Sequence, residues 1–170
     1  MADVHDKLTR RKNMQAIHNC DTAIEKKISR ILDTLEIDYR TQAKDLPGRP
    51  DFVVEQYRAV IFVHGCFWHG HQCDLFKVPQ TRTEFWMKKI GDNIERDHRV
   101  IEKLTSTGWK VLLIWECVLK GRSKKTQTEV SERIEEWLCA SSNCAEINTQ
   151  GYRKCNQLII INLLKLVPQK

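Results

Sequence analysis

Three segments of the chain carry apolar residues at the spacing of an amphipathic helix. The first begins at the capping-box pattern Thr22-Ala23-Ile24-Glu25 and extends to about residue 36. The second begins at a similar pattern, Thr81-Arg82-Thr83-Glu84, and ends at Gly108. A third, shorter helix is predicted over about 127–139.

Four β-rich runs lie between and after the first two helices. Residues 51–54 and 57–63 flank a Glu55-Gln56 turn and predict a hairpin, while residues 38–43 could form an edge strand. Residues 109–115 are almost continuously apolar, as in a strand that is buried on both faces. Because a long helix separates this strand from the hairpin, part of the sheet is expected to be parallel. The pattern predicts an α/β fold with a mixed β-sheet flanked by helices.

The composition is that of a globular protein with a basic surplus. The chain has 28 Lys and Arg against 22 Asp and Glu, a net charge of +6, which favours a polyanionic partner without requiring one. Residues 1–20 are basic and form either a solvated arm or one that wraps DNA. We divide the rest into a domain over 21–145 and a tail of uncertain structure over 146–170.

No segment reads as a signal peptide or a membrane span. The first twenty residues lack an apolar core, and the longest apolar run, 158–167, is interrupted by Asn162 and Lys165. We expect a cytoplasmic protein, and seven cysteines in such a chain indicate metal ligation rather than disulfides.

Residues 64–73 contain five potential metal ligands within ten positions. Cys66, Cys73 and one of the histidines would make a Cys₃His set with Cys117, which follows the buried strand. Four such ligands form a closed structural zinc site; the alternative is unconnected core cysteines and surface histidines.

Two adjacent aromatic residues lie between these ligands. Phe67 and Trp68 have little nearby to bury them and could form a wedge that stacks between base pairs. Alternatively, they form a small hydrophobic cluster over the zinc site.

Asp51 is a candidate catalytic carboxylate. It follows Pro50 at the start of a strand, and the hairpin brings it near the end of the neighbouring strand, where the histidine-rich segment begins. An Asp after Pro is more often a turn residue. Glu25 could also face this site, or act only as the capping-box residue.

A second carboxylate lies on the apolar stripe of the long helix. Asp97 stands between Ile94 and Ile101, where an unpaired charge would be costly. A histidine such as His69, which the zinc set does not need, is one possible partner. Pairing with Arg96 or Arg99 at the helix surface is the alternative.

Several motifs together resemble the very short patch repair (Vsr) endonucleases. They are LPGRPDFVVEQYRAVIFVHGCFWHGHQC, TRTEFWMKKIGDNIERD and GWKVLLIWEC, with KNMQAI and DTAIE upstream, and the similarity covers roughly residues 1–140. The resemblance implies a restriction-endonuclease-like fold, and a bacterial enzyme that acts on T·G mismatches left by deamination of 5-methylcytosine.

The resemblance also implies roles for individual residues. Catalytic Mg²⁺ would be bound by Asp51 and the main-chain carbonyl of Val63. His69 would be the general base with Asp97 supporting it, while Glu25 and His64 would hold water molecules on the metal. The implied zinc ligands are Cys66, His71, Cys73 and Cys117. The implied DNA contacts are Met14, Phe67, Trp68, Trp86, Lys89 and Asn93.

Some positions depart from these patterns. Phe62-Val63-His64 stands where restriction-like enzymes carry Asp/Glu-x-Lys, a departure that Vsr enzymes share. Val63 replaces a threonine of the family, and Gly70 replaces a histidine.

The predicted function is Mg²⁺-dependent nicking of one strand of duplex DNA at a T·G mismatch by a zinc-stabilised monomer. Mismatch-repair proteins of the MutL type are possible partners by resemblance. The alternatives are a non-catalytic zinc-stabilised protein that binds mismatched DNA, and a broad restriction-type nuclease.

Overall fold

A computed structural model describes residues 22–155, which form a six-stranded mixed sheet between helices. The strands are β1 (Arg40–Thr41), β2 (Phe52–Val54), β3 (Ala59–His64), β4 (Lys110–Trp115), β5 (Cys144–Asn148) and β6 (Gly151–Lys154). The helices are α1 (Ala23–Thr34), α2 (Thr83–Ser106), α3 (Glu116–Leu119) and α4 (Gln127–Cys139), with a 3₁₀ turn at Glu55–Tyr57.

The strands lie in the sheet in the order of the sequence. β3, β4 and β5 are parallel to one another, and the pairs β1–β2, β2–β3 and β5–β6 are antiparallel. The expected hairpin and the expected parallel crossover through the long helix are therefore confirmed. In the central pair, His64 lies in register with Trp115, so both strands end at the same edge.

One face of the sheet is covered by α1, α3 and α4. Their buried residues pack on strand residues of β3, β4 and β5, and Trp137 of α4 is fully buried among them. The helical members of this cluster are Ile28, Ile31, Leu32, Val118, Leu119, Val130, Ile134, Trp137 and Leu138.

The opposite face is covered by the long helix α2. Leu104 is fully buried against Val60, Phe62, Val111 and Leu113, which alternate with the residues of the first face. Alternate strand residues serve the two cores, which is why β4 is apolar along almost its whole length.

Two of the three predicted helix starts are confirmed. Thr22 and Thr126 each accept a hydrogen bond from the backbone N–H three residues later. The capping box predicted at Thr81 is wrong: α2 begins at Thr83, and Arg82 before it adopts a left-handed conformation with φ 52°. The Thr83 hydroxyl donates to the Pro79 carbonyl at 2.7 Å, so the preceding turn sets the start of the helix.

The far end of the sheet contains residues beyond the predicted domain boundary at 145. Strands β5 and β6 extend through Lys154 and pair with each other. The predicted basic arm 1–20, with Met14, and residues 156–170 lie outside the described part. Between residues 22 and 155, no helix has the length and apolar character to cross a membrane.

Candidate active site and metal centre

Asp51 lies at the start of β2, against the end of β3. Its Oδ2 accepts a hydrogen bond from the Val63 N–H at 2.7 Å. On its other side, the Gln42 amide donates to Asp51 Oδ1 at 3.4 Å and to Glu25 Oε2 at 3.5 Å. The antiparallel pairs β1–β2 and β2–β3 thus bring Gln42, Asp51 and Val63 together, and α1 adds Glu25.

Burial raises the pKa of Asp51 to about 6, and the nearby charge of Glu25 contributes in the same direction. The hydrogen bond from Val63 opposes this shift. Two carboxylates that share one amide donor in a largely buried position are the environment that a divalent cation stabilises.

Glu25 takes part in both of the arrangements that the sequence left open, the capping of α1 and the lining of the cleft. Its backbone N–H donates to the Thr22 hydroxyl at 3.2 Å, and that hydroxyl donates to Glu25 Oε1 at 2.7 Å. Its other carboxylate oxygen faces Gln42 and the side of Asp51. Glu25 therefore takes part in the start of α1 while it lines the cleft.

His69 and Asp97 form the second part of the site. His69 Nδ1 is hydrogen-bonded to Asp97 Oδ2, and each side chain is only 15% exposed. The other oxygen of Asp97 accepts from Arg96 at 3.3 Å. Burial by itself would raise the pKa of Asp97, but the hydrogen bond with His69 and nearby positive charge bring that pKa below its ordinary value. Asp97 is therefore a carboxylate that holds His69 by one ring nitrogen.

His64 packs directly against His69. The two imidazole rings stack with centroids 3.8 Å apart and an angle of 8° between their planes. Burial lowers the pKa of His64 to about 3, so His64 is neutral at physiological pH. A neutral ring on one face of His69 limits how that imidazole can tilt.

A sulfur-rich group lies at the adjoining end of β4. Potential ligand atoms of Cys66, His71, Cys73 and Cys117 all lie within 4.8 Å of one another. His71 Nδ1 is 3.6 Å from the sulfur atoms of both Cys66 and Cys117. A hydrogen bond from Cys66 lowers the pKa of the Cys117 thiol, with a further contribution from His71. Three cysteine sulfurs and one imidazole are a donor set suited to a metal ion.

Phe67, Trp68 and Trp86 form a half-buried aromatic cluster. Their ring centroids lie 5.2 to 5.9 Å apart. The ammonium group of Lys89 lies 5.6 Å from the Trp68 ring and 5.9 Å from the Trp86 ring. Asn93 donates to the main-chain carbonyl of Trp68 at 3.0 Å. The predicted DNA-contacting residues of this region are therefore one contiguous group.

The predicted catalytic residues line one open cleft of about 1010 Å³. They are Glu25, Asp51, Val63, His64, His69 and Asp97, and Trp68, Lys89 and Asn93 line the same cleft. Phe67 and Trp86 join the group through their packing on Trp68, whereas Met14 lies outside the described residues. The roles of all these residues remain predictions.

Sequence reasoning missed Gln42 and Arg49, which also line the cleft, whereas Arg96 was named as a possible partner of Asp97 and lines it too. Gln42 and Arg49 both adopt the left-handed conformation, with φ 52° and 53°, which non-glycine residues seldom adopt. No periodic pattern marks either residue. The one available signal was position, because both lie just ahead of Asp51 in the chain.

The sequence of this chain is similar to those of known DNA endonucleases. A family model described as "DNA mismatch endonuclease Vsr" matches residues 2–75. The DNA mismatch endonuclease Vsr of Escherichia coli (strain K12) is 59% identical over 151 residues, which cover 89% of this chain and 97% of that protein. The type II nicking enzyme V.XorIIP of Xanthomonas oryzae pv. oryzae is 42% identical over 65% of this chain and 81% of its own length. The type II nicking enzyme V.NmeAIP of Neisseria meningitidis is 37% identical over 72% and 88%.

Proposed function

This chain belongs to the Vsr family of DNA mismatch endonucleases, and from that premise we propose that it nicks one strand of duplex DNA at a T·G mismatch. Such mismatches arise when 5-methylcytosine is deaminated, and the nick would start their repair. The observation that carries the proposal is the placement of Asp51 and Glu25 in one cleft with the His69–Asp97 pair.

Asp51 and the main-chain carbonyl of Val63 would hold a catalytic Mg²⁺. The buried carboxylate, its raised pKa and the adjacent Glu25 support this assignment. When bound, Mg²⁺ supplies positive charge that stabilises the negative charge developing on the phosphate. Glu25 and His64 would orient water within the cleft. Val63 in place of threonine is compatible with a contact made by the main chain.

His69 would act as the general base. Because Asp97 holds Nδ1, Nε2 is the nitrogen left to accept the proton of the attacking water. The water oxygen bonds to phosphorus, and the bond from phosphorus to the leaving oxygen breaks. The neutral His64 ring and the Asp97 carboxylate would keep the imidazole in the orientation that this transfer needs.

Cys66, His71, Cys73 and Cys117 would bind a structural Zn²⁺. All four positions would be occupied by protein ligands, so the ion would join the segment after β3 to the start of α3 without taking part in hydrolysis. The same segment carries Phe67 and Trp68, whose insertion at a weakly stacked mismatch would favour that substrate over paired DNA.

Four broader features belong to the proposal. A restriction-endonuclease-like fold and contact with repair proteins of the MutL type follow from the resemblance. A monomer is proposed because a single-strand nick requires only one active site, and a cytoplasmic location in bacteria fits a DNA-repair enzyme. The mixed sheet with flanking helices supports the proposed fold.

A labelled duplex with one T·G pair in a CC(A/T)GG context, beside its fully paired control, tests the function. We expect a nick only in the mismatched duplex and only when Mg²⁺ is added to the zinc-loaded protein. Asp51→Asn should abolish the nick. The matched control is Asp92→Asn, because Asp92 is an exposed carboxylate on the same helix as Asp97. This variant should cut the duplex at the wild-type rate.

The other results of this assay separate the alternatives. Tight mismatch binding with no cleavage under any divalent metal would favour a non-catalytic binding protein. Equal cutting of the paired duplex would favour a broad nuclease. Nicking by Asp51→Asn at the wild-type rate would contradict the assignment of the metal site.

A further inference from the structure

Trp115 lies between the metal centre and the catalytic histidines. Its ring stacks on His71 with centroids 4.2 Å apart and 16° between the planes. His64 and His69 pack against the same ring in T-shaped geometry, at centroid distances of 5.4 and 6.4 Å. One side chain, only 7% exposed, thus contacts a proposed zinc ligand and both stacked imidazoles.

The indole of Trp115 is held by a buried carboxylate. Its Nε1 donates to Glu146 Oε2 at 2.9 Å, and Glu146 on β5 is only 4% exposed. The other oxygen of Glu146 accepts from the Asn148 amide at 3.2 Å. Burying a carboxylate is costly even when it is hydrogen-bonded, and an apolar side chain would fill the space at lower cost.

The turn between β5 and β6 is tied to this carboxylate. The Asn148 side chain accepts from the Gln150 N–H at 2.8 Å, which shapes the turn, and donates to Glu146 on its other side. Asn148 therefore fixes the position of Glu146 relative to the hairpin.

We propose that Trp115 and Glu146 are positioning residues that fix His71 and the His64–His69 stack in one relative arrangement. The inference rests on the proposed role of His69 as general base. Glu146 fixes the plane of the indole. The indole then sets the plane of His71, which stacks on its face, and the place of the two imidazoles that pack against it in T-shaped geometry. The metal centre and the catalytic histidines are thereby held as one unit.

Trp137 shows that packing alone does not require such a carboxylate. This second tryptophan is fully buried on the face of the sheet covered by α1, α3 and α4, yet its Nε1 has no hydrogen-bond partner within residues 22–155. The protein tolerates a buried indole without an acceptor in one place and supplies a buried carboxylate in the other. Trp137 is therefore a matched control.

The test compares Glu146→Leu, Trp115→Phe and Glu146→Gln with Trp137→Phe. We would measure the single-turnover nicking rate on the T·G duplex with Mg²⁺, the Kd for that duplex without added Mg²⁺ and with zinc retained, and amide hydrogen exchange of residues 64–73. Glu146→Leu and Trp115→Phe should lower the rate about tenfold or more, since small misplacements of a catalytic group are costly. They should also speed exchange in 64–73 and leave the Kd within about twofold.

Glu146→Gln keeps a hydrogen-bond acceptor for the indole N–H and should therefore retain most of the wild-type nicking rate. Trp137→Phe should change neither the rate nor the exchange of residues 64–73. If Glu146→Leu fails to fold, Trp115→Phe is compared with Trp137→Phe instead. Variants that match Trp137→Phe in both measurements would overturn the proposal, and so would faster exchange with an unchanged rate.

A wild-type protein that does not nick the T·G duplex would refute the proposed function instead. The exchange measurement would then still decide the structural part of the inference. Faster exchange of residues 64–73 in Glu146→Leu than in Trp137→Phe supports it, and equal exchange overturns it.

Discussion

The imidazole of His69 is controlled from three sides. Asp97 holds one ring nitrogen, His64 covers one ring face, and Trp115 packs against the ring with 72° between the two planes. Each of these neighbours is more than four-fifths buried, so water competes little for the contacts. This confinement leaves the second nitrogen of His69 in a defined direction, which is what a general base needs.

Replacing Asp97 by Asn should lower the single-turnover nicking rate by roughly 100-fold or more, within the range that general-base catalysis contributes. The amide keeps the size of the side chain but removes the charge that stabilises the protonated imidazole. The measurement is the nicking rate at saturating Mg²⁺, beside Asp92→Asn. A rate within about threefold of the wild type would show that His69 does not depend on this carboxylate.

Single residues were also where sequence reasoning reached its limit. The pairing of Asp97 with a histidine could be predicted, because a carboxylate on an apolar stripe must find a partner. The contact of Gln42 with Asp51 could not be predicted. It depends on a left-handed backbone conformation of Gln42, in a segment without a periodic pattern of apolar residues. Trp115 looked like an ordinary strand residue and Glu146 fell in the tail of uncertain structure; only the register of three strands brings them to the site.

Among the elements, those with strong periodicity were the predictable ones. Helices α1 and α4 lie within about two residues of their expected limits, and β4 is buried as its apolar run indicated. The pair β5–β6 was missed because Cys144–Asn148 is short and partly polar. Its Glu146 and Asn148 are buried only because each has a partner inside the fold.

The starts of α2 and α4 offer a direct comparison of two sequences with the same spacing. Thr126 caps α4 in a complete capping box, whereas Thr81 lies outside α2. Thr126→Ala should therefore lower the free energy of unfolding by about 1 kcal/mol, and Thr81→Ala by no more than a few tenths. Urea unfolding in the presence of zinc measures both. Equal losses would show that spacing alone, without the observed geometry, determines capping.

The same helix start predicts a dependence on pH. Hydrogen bonds from Thr126 lower the pKa of Glu129 below its ordinary value of 4.5. Stabilisation by this carboxylate is therefore fully present above about 4.5 and is lost as pH falls through the lower, folded-state pKa. The difference in Tm between the wild type and Glu129→Gln should shrink from pH 7 to pH 4. A difference that is constant or grows in acid would contradict this sign.

Across the whole molecule, the two faces of the sheet have separate cores while the site lies at the edge where β3 and β4 end. The sulfur-rich group with Trp115 forms a third, smaller cluster at that edge. This third cluster contains few apolar side chains. A bound metal ion, rather than apolar packing, would therefore be the main interaction that holds residues 64–73 in place.

Removal of zinc should therefore lower the Tm and stop nicking even when Mg²⁺ is in excess. A chelator selective for zinc, followed by return of either Zn²⁺ or Mg²⁺, measures this, and only Zn²⁺ should restore both properties. Cys73→Ser should resemble the zinc-free protein. Cys139→Ser, which changes an exposed cysteine outside the group, should resemble the wild type. A zinc-free protein with full activity would refute a structural role for the ion.

The parallel pairing of β3 with β4 has a consequence for the synthesis of the protein. Glu25, Asp51 and His69 leave the ribosome well before Lys110–Trp115, the strand that pairs with β3 along its whole length. Without that strand, β3 lacks its parallel neighbour and the sulfur-rich group lacks Cys117. We therefore expect a chain that terminates before β4 to have neither a complete metal centre nor nicking activity, which the assay on the T·G duplex would measure.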